Sequence, residues 1–222
     1  MALNKTIEDK LREGRQYRNM QSFEPVDERL ADGEMVRGYA TTFNTPYHLF
    51  DYDDWDGYRV HFWEQVDRDA FAETDMRDTI MQYNHEGRVF ARVKNNTLRL
   101  HTDDHGLAVE ADLGGTELGR QLYEEIKGGY TDKMSFGFTV SKDNVVRDKD
   151  DEKKEIKVLR TITGISMLWD VSAVSIPAND GTEISARSWA DGVISELTEE
   201  FRQAEEREKQ KQRIRILTLT EV

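Results

Sequence analysis

The sequence contains no cysteine. This absence excludes disulfide bonds, thiolate zinc sites and a cysteine nucleophile, and it favours a protein of the cell interior. Long apolar runs are also missing, since no stretch approaches the roughly 20 residues that span a bilayer. The first nine residues lack the hydrophobic core of a secretion signal. We therefore expect a cytoplasmic protein with no membrane partner.

Basic residues are fewer than acidic ones, 31 against 44, and the formal net charge is −13. Nucleic-acid backbones bind to basic faces, so this balance argues against nucleic acid as a partner. The chain has 222 residues, of which 37% are hydrophobic and 34% charged. This length suits one well-cored domain with extensions or two small domains, and the high charge indicates that part of it is a polar helix or loop.

Three segments differ in character. Residues 1–33 are polar and charged and predict an N-terminal arm, as a short helix or a flexible segment. Between 34 and 188, alternating apolar and polar residues predict roughly eight strands. Residues 189–222 carry one apolar stripe on a charged background, which predicts a C-terminal helix and tail. The strand-like runs are 36–43, 58–63, 80–84, 89–93, 96–100, 107–111, 133–140 and a returning stretch made of 158–162 and 165–176.

One helix interrupts the predicted strands. Thr116 is a suitable N-cap, Leu118, Leu122 and Ile126 recur every four residues, and Gly128 follows them. The predicted fold is mainly β, of the α+β type. Its antiparallel strands close or nearly close into a barrel, with this internal helix and the C-terminal helix added.

The run 133–140 has two unlike faces. Its apolar residues, including Met134 and Phe136, share one face, whereas Ser135, Gly137 and Thr139 share the other. Gly137 would allow another backbone to approach the serine closely. We predict Gly137 and Phe136 as substrate-binding residues beside Ser135.

Ser135, His85 and Asp170 are the residue types of a nucleophilic serine site. A serine hydroxyl needs a base to take its proton, and histidine suits that role at neutral pH. A carboxylate on the other ring nitrogen fixes the tautomer and stabilises the imidazolium. Asp170 lies in an apolar run, where a buried carboxylate needs a hydrogen-bonded or charged partner.

Spacing alone leaves other interpretations open. His85 could cap a hairpin, Ser135 could fill a strand, and Asp170 could pair with an arginine. His101 and His105 are alternatives for the third member of the site, although their position beside a turn favours surface roles.

We predict no metal and no cofactor. His101 and His105, with Asp103 and Asp104, flank a glycine turn and lack a helical face on which they would converge. The acidic run 51–56 lacks the glycine and terminal glutamate of a calcium loop. The charged stretch 142–157 mixes signs and is typical of an exposed hairpin tip.

A succession of short motifs resembles the prohead proteases of tailed bacteriophages, the serine peptidases of capsid maturation. The resemblance covers about residues 36–188, and it depends on the order and spacing of the motifs. The motifs are GYATTFN at 38–44, YNHE at 83–86, NTLRL at 96–100, DHGLAVEA at 104–111, LGRQLY at 118–123, MSFGF at 134–138 and DVSAVSIPAN at 170–179.

The resemblance implies a β-barrel shared with the herpesvirus assembly proteases. It implies an endopeptidase that cleaves the scaffolding region of the major capsid protein, and itself, inside the assembling prohead in the host cytoplasm, with control by assembly or self-association. By position, Ser135 matches the family nucleophile and His85 its base. Asp170 occupies the acidic position, where glutamate is frequent.

This sequence departs from the family pattern at three positions: Asp170 is one methylene shorter than glutamate, Glu86 replaces an aspartate, and Ala91 replaces a glycine. A rival hypothesis is a non-catalytic assembly or scaffold protein on the same barrel. Such a protein would not need His85 together with Ser135.

Overall fold

The structure, a computed structural model, describes residues 15–25, 34–53 and 56–175. The predicted C-terminal helix and tail lie outside these residues, as does the start of the predicted arm. The elements in chain order are β1 (Gln16–Pro25), β2 (Met35–Thr42), β3 (Tyr47–Asp53), β4 (Arg59–Val66), β5 (Ile80–Tyr83), β6 (Glu86–Arg92), β7 (Leu98–Thr102), β8 (Gly106–Asp112), α1 (Glu117–Lys127), β9 (Lys133–Asp150) and β10 (Glu155–Val174), with a short 3₁₀ turn at Val93–Asn95.

All ten strands belong to one sheet. Its main path runs β3-β4-β10-β9-β1-β2-β8-β7, and the β5–β6 hairpin joins through β10. The long strands β9 and β10 form an antiparallel hairpin. β10 pairs in parallel with β4 over its first half and with β5 near its end. β1 is the strand that links β9 to β2, and therefore connects the two parts of the path.

The mainly β prediction is confirmed, but the described strands form an open sheet and not a closed barrel. The two ends of the main path, β3 and β7, do not pair with each other in the described part of the chain. Expecting only antiparallel pairs was wrong, because crossover connections place β4 and β5 parallel to β10. Two strands were not predicted at all: β1 within the arm, and β3 in the stretch interpreted as an acidic loop.

The internal helix is confirmed. The Thr116 hydroxyl accepts a hydrogen bond from the Gly119 amide at 2.9 Å, as an N-cap should. Leu122 and Ile126 are buried in the main core, whereas Leu118 is partly exposed. Within the residues described, no helix is both long and apolar enough to cross a bilayer.

The main core lies on the apolar face of β9. Phe136 and Phe138 stack there with ring centroids 4.5 Å apart, and Met134 is fully buried beside them. The charged stretch 142–157 forms the far end of the β9–β10 hairpin, with its turn at 151–154. A smaller apolar cluster packs against that end and under β3; its fully buried members are Val60, Phe62 and Val158.

A buried ion cluster ties β1 to the centre of the sheet. Arg18 of β1 donates to both carboxylate oxygens of Glu64 on β4, at 2.6 and 3.1 Å. Arg160 of β10 donates to Glu64 at 2.8 Å and to Asp143 at 2.9 Å. Burial raises the pKa of Glu64, but Arg18 and Arg160 outweigh it and leave that pKa below its ordinary value. The carboxylate is therefore charged at neutral pH.

Removing the charge of Glu64 should be costly, because two buried guanidinium groups would lose their shared partner. Glu64→Gln keeps the shape of the side chain and is expected to lower the free energy of unfolding by about 3–5 kcal/mol. Urea denaturation measures the change. Asp78→Asn is the matched control, since that carboxylate pairs with Arg92 at the surface and its loss should change stability little. Equal stability of the two variants would contradict the role of the cluster.

Candidate active site

Ser135 lies on β9, between the neighbouring strands β10 and β1. In register, Ser172 of β10 stands opposite Ser135 on one side and Asn19 of β1 on the other. The next row whose side chains lie on the same face contains Asp170, Gly137 and Tyr17. The serine side chain is fully buried. The sheet register therefore brings the serine and the aspartate to adjacent rows on the same face.

A β-bulge at Trp169 puts Asp170 on this face. Leu168 pairs with Phe138 on the core side, and the next paired residue is Asp170, opposite Gly137. In a regular strand Asp170 would share the core face with Leu168. The extra residue reverses the alternation, and this is a common use of bulges near functional side chains.

His85 reaches the serine from the turn between β5 and β6. Asn84 and His85 are the two loop residues of this hairpin, and both have positive φ angles, 52° and 60°. Such two-residue turns match the twist of the strands, and asparagine tolerates the left-handed conformation well. The backbone N–H of Asn84 donates to the Ala173 carbonyl at 2.9 Å. The side-chain oxygen of Asn84 accepts a hydrogen bond from the backbone N–H of Ser175 at 3.0 Å. The turn is therefore fixed to the end of β10.

The three side chains form a continuous hydrogen-bonded chain. His85 Nε2 lies 2.5 Å from Ser135 Oγ, and His85 Nδ1 lies 2.6 Å from Asp170 Oδ1. A carboxylate only accepts hydrogen bonds, so Nδ1 carries the proton, and the serine hydroxyl donates to Nε2. Serine–histidine–aspartate in this order is the arrangement of a serine hydrolase triad.

Asp170 is fully buried and has two further partners. The Ser172 hydroxyl donates to Oδ1 at 2.7 Å, and the Arg15 guanidinium donates to Oδ2. Tyr17 packs its ring on that of His85, with the centroids 4.1 Å apart. Sequence reasoning missed Arg15 and Tyr17, which lie in the predicted arm. It did foresee that Asp170 could pair with an arginine, and here the arginine and the histidine share one carboxylate.

The two predicted substrate-binding residues have different surroundings from those expected. Phe136 is fully buried in the core and presents no surface to a substrate. The space left by the missing side chain of Gly137 faces Asp170 Oδ2, Arg15 Nε and Tyr17. Phe136 therefore belongs to the core, and Gly137 makes room for the Asp170 carboxylate and its partners. A role of either residue in substrate binding stays a prediction.

The other histidine candidates lie elsewhere. The ring of His105 packs edge-on against Tyr39, with centroids 4.5 Å apart, and Asp103 accepts the Tyr39 hydroxyl and the His105 amide. His105 therefore packs at the β7–β8 turn, and His101 lies on β7 just before it. The side chain that hydrogen-bonds to His85 Nδ1 is that of Asp170, and not that of His101 or His105.

Burial, and after it the Arg15 guanidinium, lowers the pKa of His85 to about 3. The imidazole is neutral at pH 7 and can accept a proton. Because the folded pKa lies below the ordinary value of 6.5, the unfolded chain takes up this proton first as the pH falls. The titration of His85 therefore lowers the free energy of unfolding as the pH falls from about 6.5 to about 3.

A serine hydroxyl bonded to a neutral, carboxylate-anchored histidine, on a mainly β scaffold, is a feature of serine hydrolases. The family model described as caudovirus prohead serine protease matches residues 23–193. This span is well over half of the chain, and the protein belongs to that family. No curated protein and no solved structure matches the chain.

A methyl group at Gly137 should disturb the site. In Gly137→Ala the new carbon would overlap Asp170 Oδ2 and lie 3.0 Å from Arg15 Nε and from Tyr17 Cε1. We expect a loss of about 1–3 kcal/mol in the free energy of unfolding, because the crowded groups must move. Gly115→Ala is the control, since a carbon there meets nothing within 4 Å. Chemical denaturation compares the two, and equal stability would contradict the crowding.

Replacing Arg15 should raise the pKa of His85. In Arg15→Met the positive charge of the guanidinium, one cause of the depressed pKa, is removed, while burial of His85 remains. NMR titration of the imidazole signals measures the pKa directly. Arg68→Met is the control, because Arg68 pairs with Asp104 at the surface and should leave His85 unchanged. A pKa that stays the same or falls in Arg15→Met would contradict the contribution of Arg15.

Proposed function

We propose that this protein is a serine endopeptidase that cleaves the scaffolding region of the capsid protein, and itself, during prohead maturation. One observation carries the proposal: Ser135 Oγ lies 2.5 Å from His85 Nε2, and His85 Nδ1 lies 2.6 Å from Asp170. The membership of the family supports the biological setting.

Each side chain has a distinct role in the proposed reaction. His85 Nε2 takes the proton of Ser135 while Oγ forms a bond to the carbon of the scissile carbonyl. The tetrahedral intermediate collapses, the C–N bond breaks, and the leaving amine receives the proton from His85. Water then attacks the acyl ester with the same base and releases the serine. Asp170 holds the ring and stabilises the imidazolium that forms twice in the cycle.

The surroundings of Asp170 support an orienting role for this residue. Its carboxylate is fully buried and accepts hydrogen bonds from His85, Ser172 and Arg15. A carboxylate held by three donors has little freedom to rotate, and this keeps the imidazole fixed toward Ser135. The bulge at Trp169 puts this carboxylate on the face of Ser135, and the aspartate side chain is long enough to reach His85 Nδ1 at 2.6 Å.

The burial of Ser135 supports a protease that is restrained until assembly. The side chain has no exposed surface, and Tyr17 lies against His85. A substrate carbonyl can reach Oγ only after a neighbouring group moves. We propose that self-association, or entry into the assembling shell in the host cytoplasm, supplies this change.

Substitution of the triad tests the chemistry. Ser135→Ala and His85→Ala should lower the rate of cleavage by on the order of a millionfold, because the nucleophile or its base is lost. Asp170→Asn should cost less, on the order of 10⁴-fold, since the aspartate orients and does not react. Each variant is co-expressed with the capsid precursor, and products are identified by gel electrophoresis and mass spectrometry.

Ser141→Ala is the matched control, because this serine lies on the same strand but is exposed. It should process normally. Normal cleavage of the scaffold and of the protease itself by Ser135→Ala would contradict the proposal. That result would favour the rival function, a non-catalytic assembly or scaffold component.

A further inference from the structure

A second cluster of chemically active side chains lies on the hairpin formed by β3 and β4. His48 Nε2 lies 2.6 Å from Asp51 Oδ1, and His61 Nδ1 lies 2.9 Å from the same oxygen. The three ligand atoms are all within 4.8 Å of one another. None of these residues takes part in the site around Ser135.

A β-bulge creates the cluster. His48 pairs with Trp63 and Phe50 with Phe62, so Leu49 is the extra residue, and Asp51 then pairs with His61. Without the bulge His48 and Asp51, three positions apart, would point to opposite faces of the strand. The inserted residue puts both on the face that carries His61, while Phe50 stacks on Phe62 on the other face at 5.0 Å.

The packing leaves the three side chains accessible. The exposed fractions of the His48, Asp51 and His61 side chains are 42%, 26% and 27%. Arg59 is the nearest competing cation, with Nη2 3.6 Å from Asp51 Oδ2, but its other nitrogen pairs with Asp53 at 3.1 Å. A cation at Asp51 Oδ1 would therefore leave Arg59 with a partner.

We propose that His48, Asp51 and His61 form a binding site for a divalent transition-metal ion of the zinc type. Imidazole nitrogen and carboxylate oxygen are ligands that Zn²⁺ binds at about 2.0–2.2 Å, usually in tetrahedral geometry. That geometry places ligand atoms about 3.3 Å apart, a modest outward movement from the hydrogen-bonded cluster. Three protein ligands leave the fourth position for water or for a group from another molecule.

A metal ion at this site would stabilise the edge of the sheet formed by β3. β3 is the last strand of the main path, and among the described strands it pairs with β4 alone. His48 and Asp51 come from β3 and His61 from β4, so a bound ion would join the two strands across the hairpin. Metal binding to the folded state alone would also raise the thermal stability of the protein.

Zinc binding to the full-length chain tests the proposal. The protein is treated with chelator, dialysed and titrated with ZnCl₂ by calorimetry, and Co²⁺ serves as a spectroscopic probe of tetrahedral ligation. The wild-type protein should bind one ion at this site and melt at a higher temperature in zinc. His48→Ala and His61→Ala should each weaken that binding at least tenfold and remove the thermal shift.

His101→Ala is the matched control, because this histidine is exposed on β7 and should leave zinc binding unchanged. Circular dichroism of the metal-free variants establishes that they are folded. If His61→Ala does not fold, the exposed His48 still allows the test. Zinc affinity of the wild type equal to that of His48→Ala, or a thermal shift that persists in that variant, would overturn the proposal.

Discussion

The burial of one carboxylate, that of Glu64, is the constraint on which much of this structure depends. A buried charge is tolerated only when it is paired, and here the Arg18 and Arg160 guanidiniums come from two other strands. The interaction fixes β1 beside β9. β1 in turn joins the two parts of the sheet, and Tyr17 on this strand and Arg15 just before it contact the triad. A polar cluster thus helps to hold this strand in the sheet.

The two sites share a structural origin. In each, an extra residue in a strand changes which face the following side chains occupy: Trp169 before Asp170, and Leu49 before Asp51. The triad adds a second unusual backbone feature, the positive φ of His85 in a two-residue turn. Regular strands supply the rows of the sheet, and local irregularities bring chemically active groups together on one face.

Much of the fold followed from the sequence because alternating apolar residues and helix caps are local signals. The mainly β architecture, most strand positions and α1 with its Thr116 cap were predictable in this way. β1 was not, since the buried side chains described at its start are Gln16 and Arg18, and polar residues give no hydrophobic alternation. The pairing of Arg15 with Asp170 spans 155 positions, and no local pattern reports it. The alternation of apolar residues also does not report whether two strands pair in parallel or antiparallel, because both kinds of partner bury similar faces.

The family match begins at residue 23, whereas Arg15, Tyr17 and Arg18 precede it. A chain cut back to the matched span would keep every member of the triad. It would also lose the part of β1 that pairs with β9 beside Ser135, from Gln16 to Ser22. The uncovered backbone of β9 would become a free sheet edge, to which an extended polypeptide can add as a new strand. The covering strand and the reactive groups therefore occupy separate stretches of sequence, Gln16 to Ser22 and residues 85 to 170.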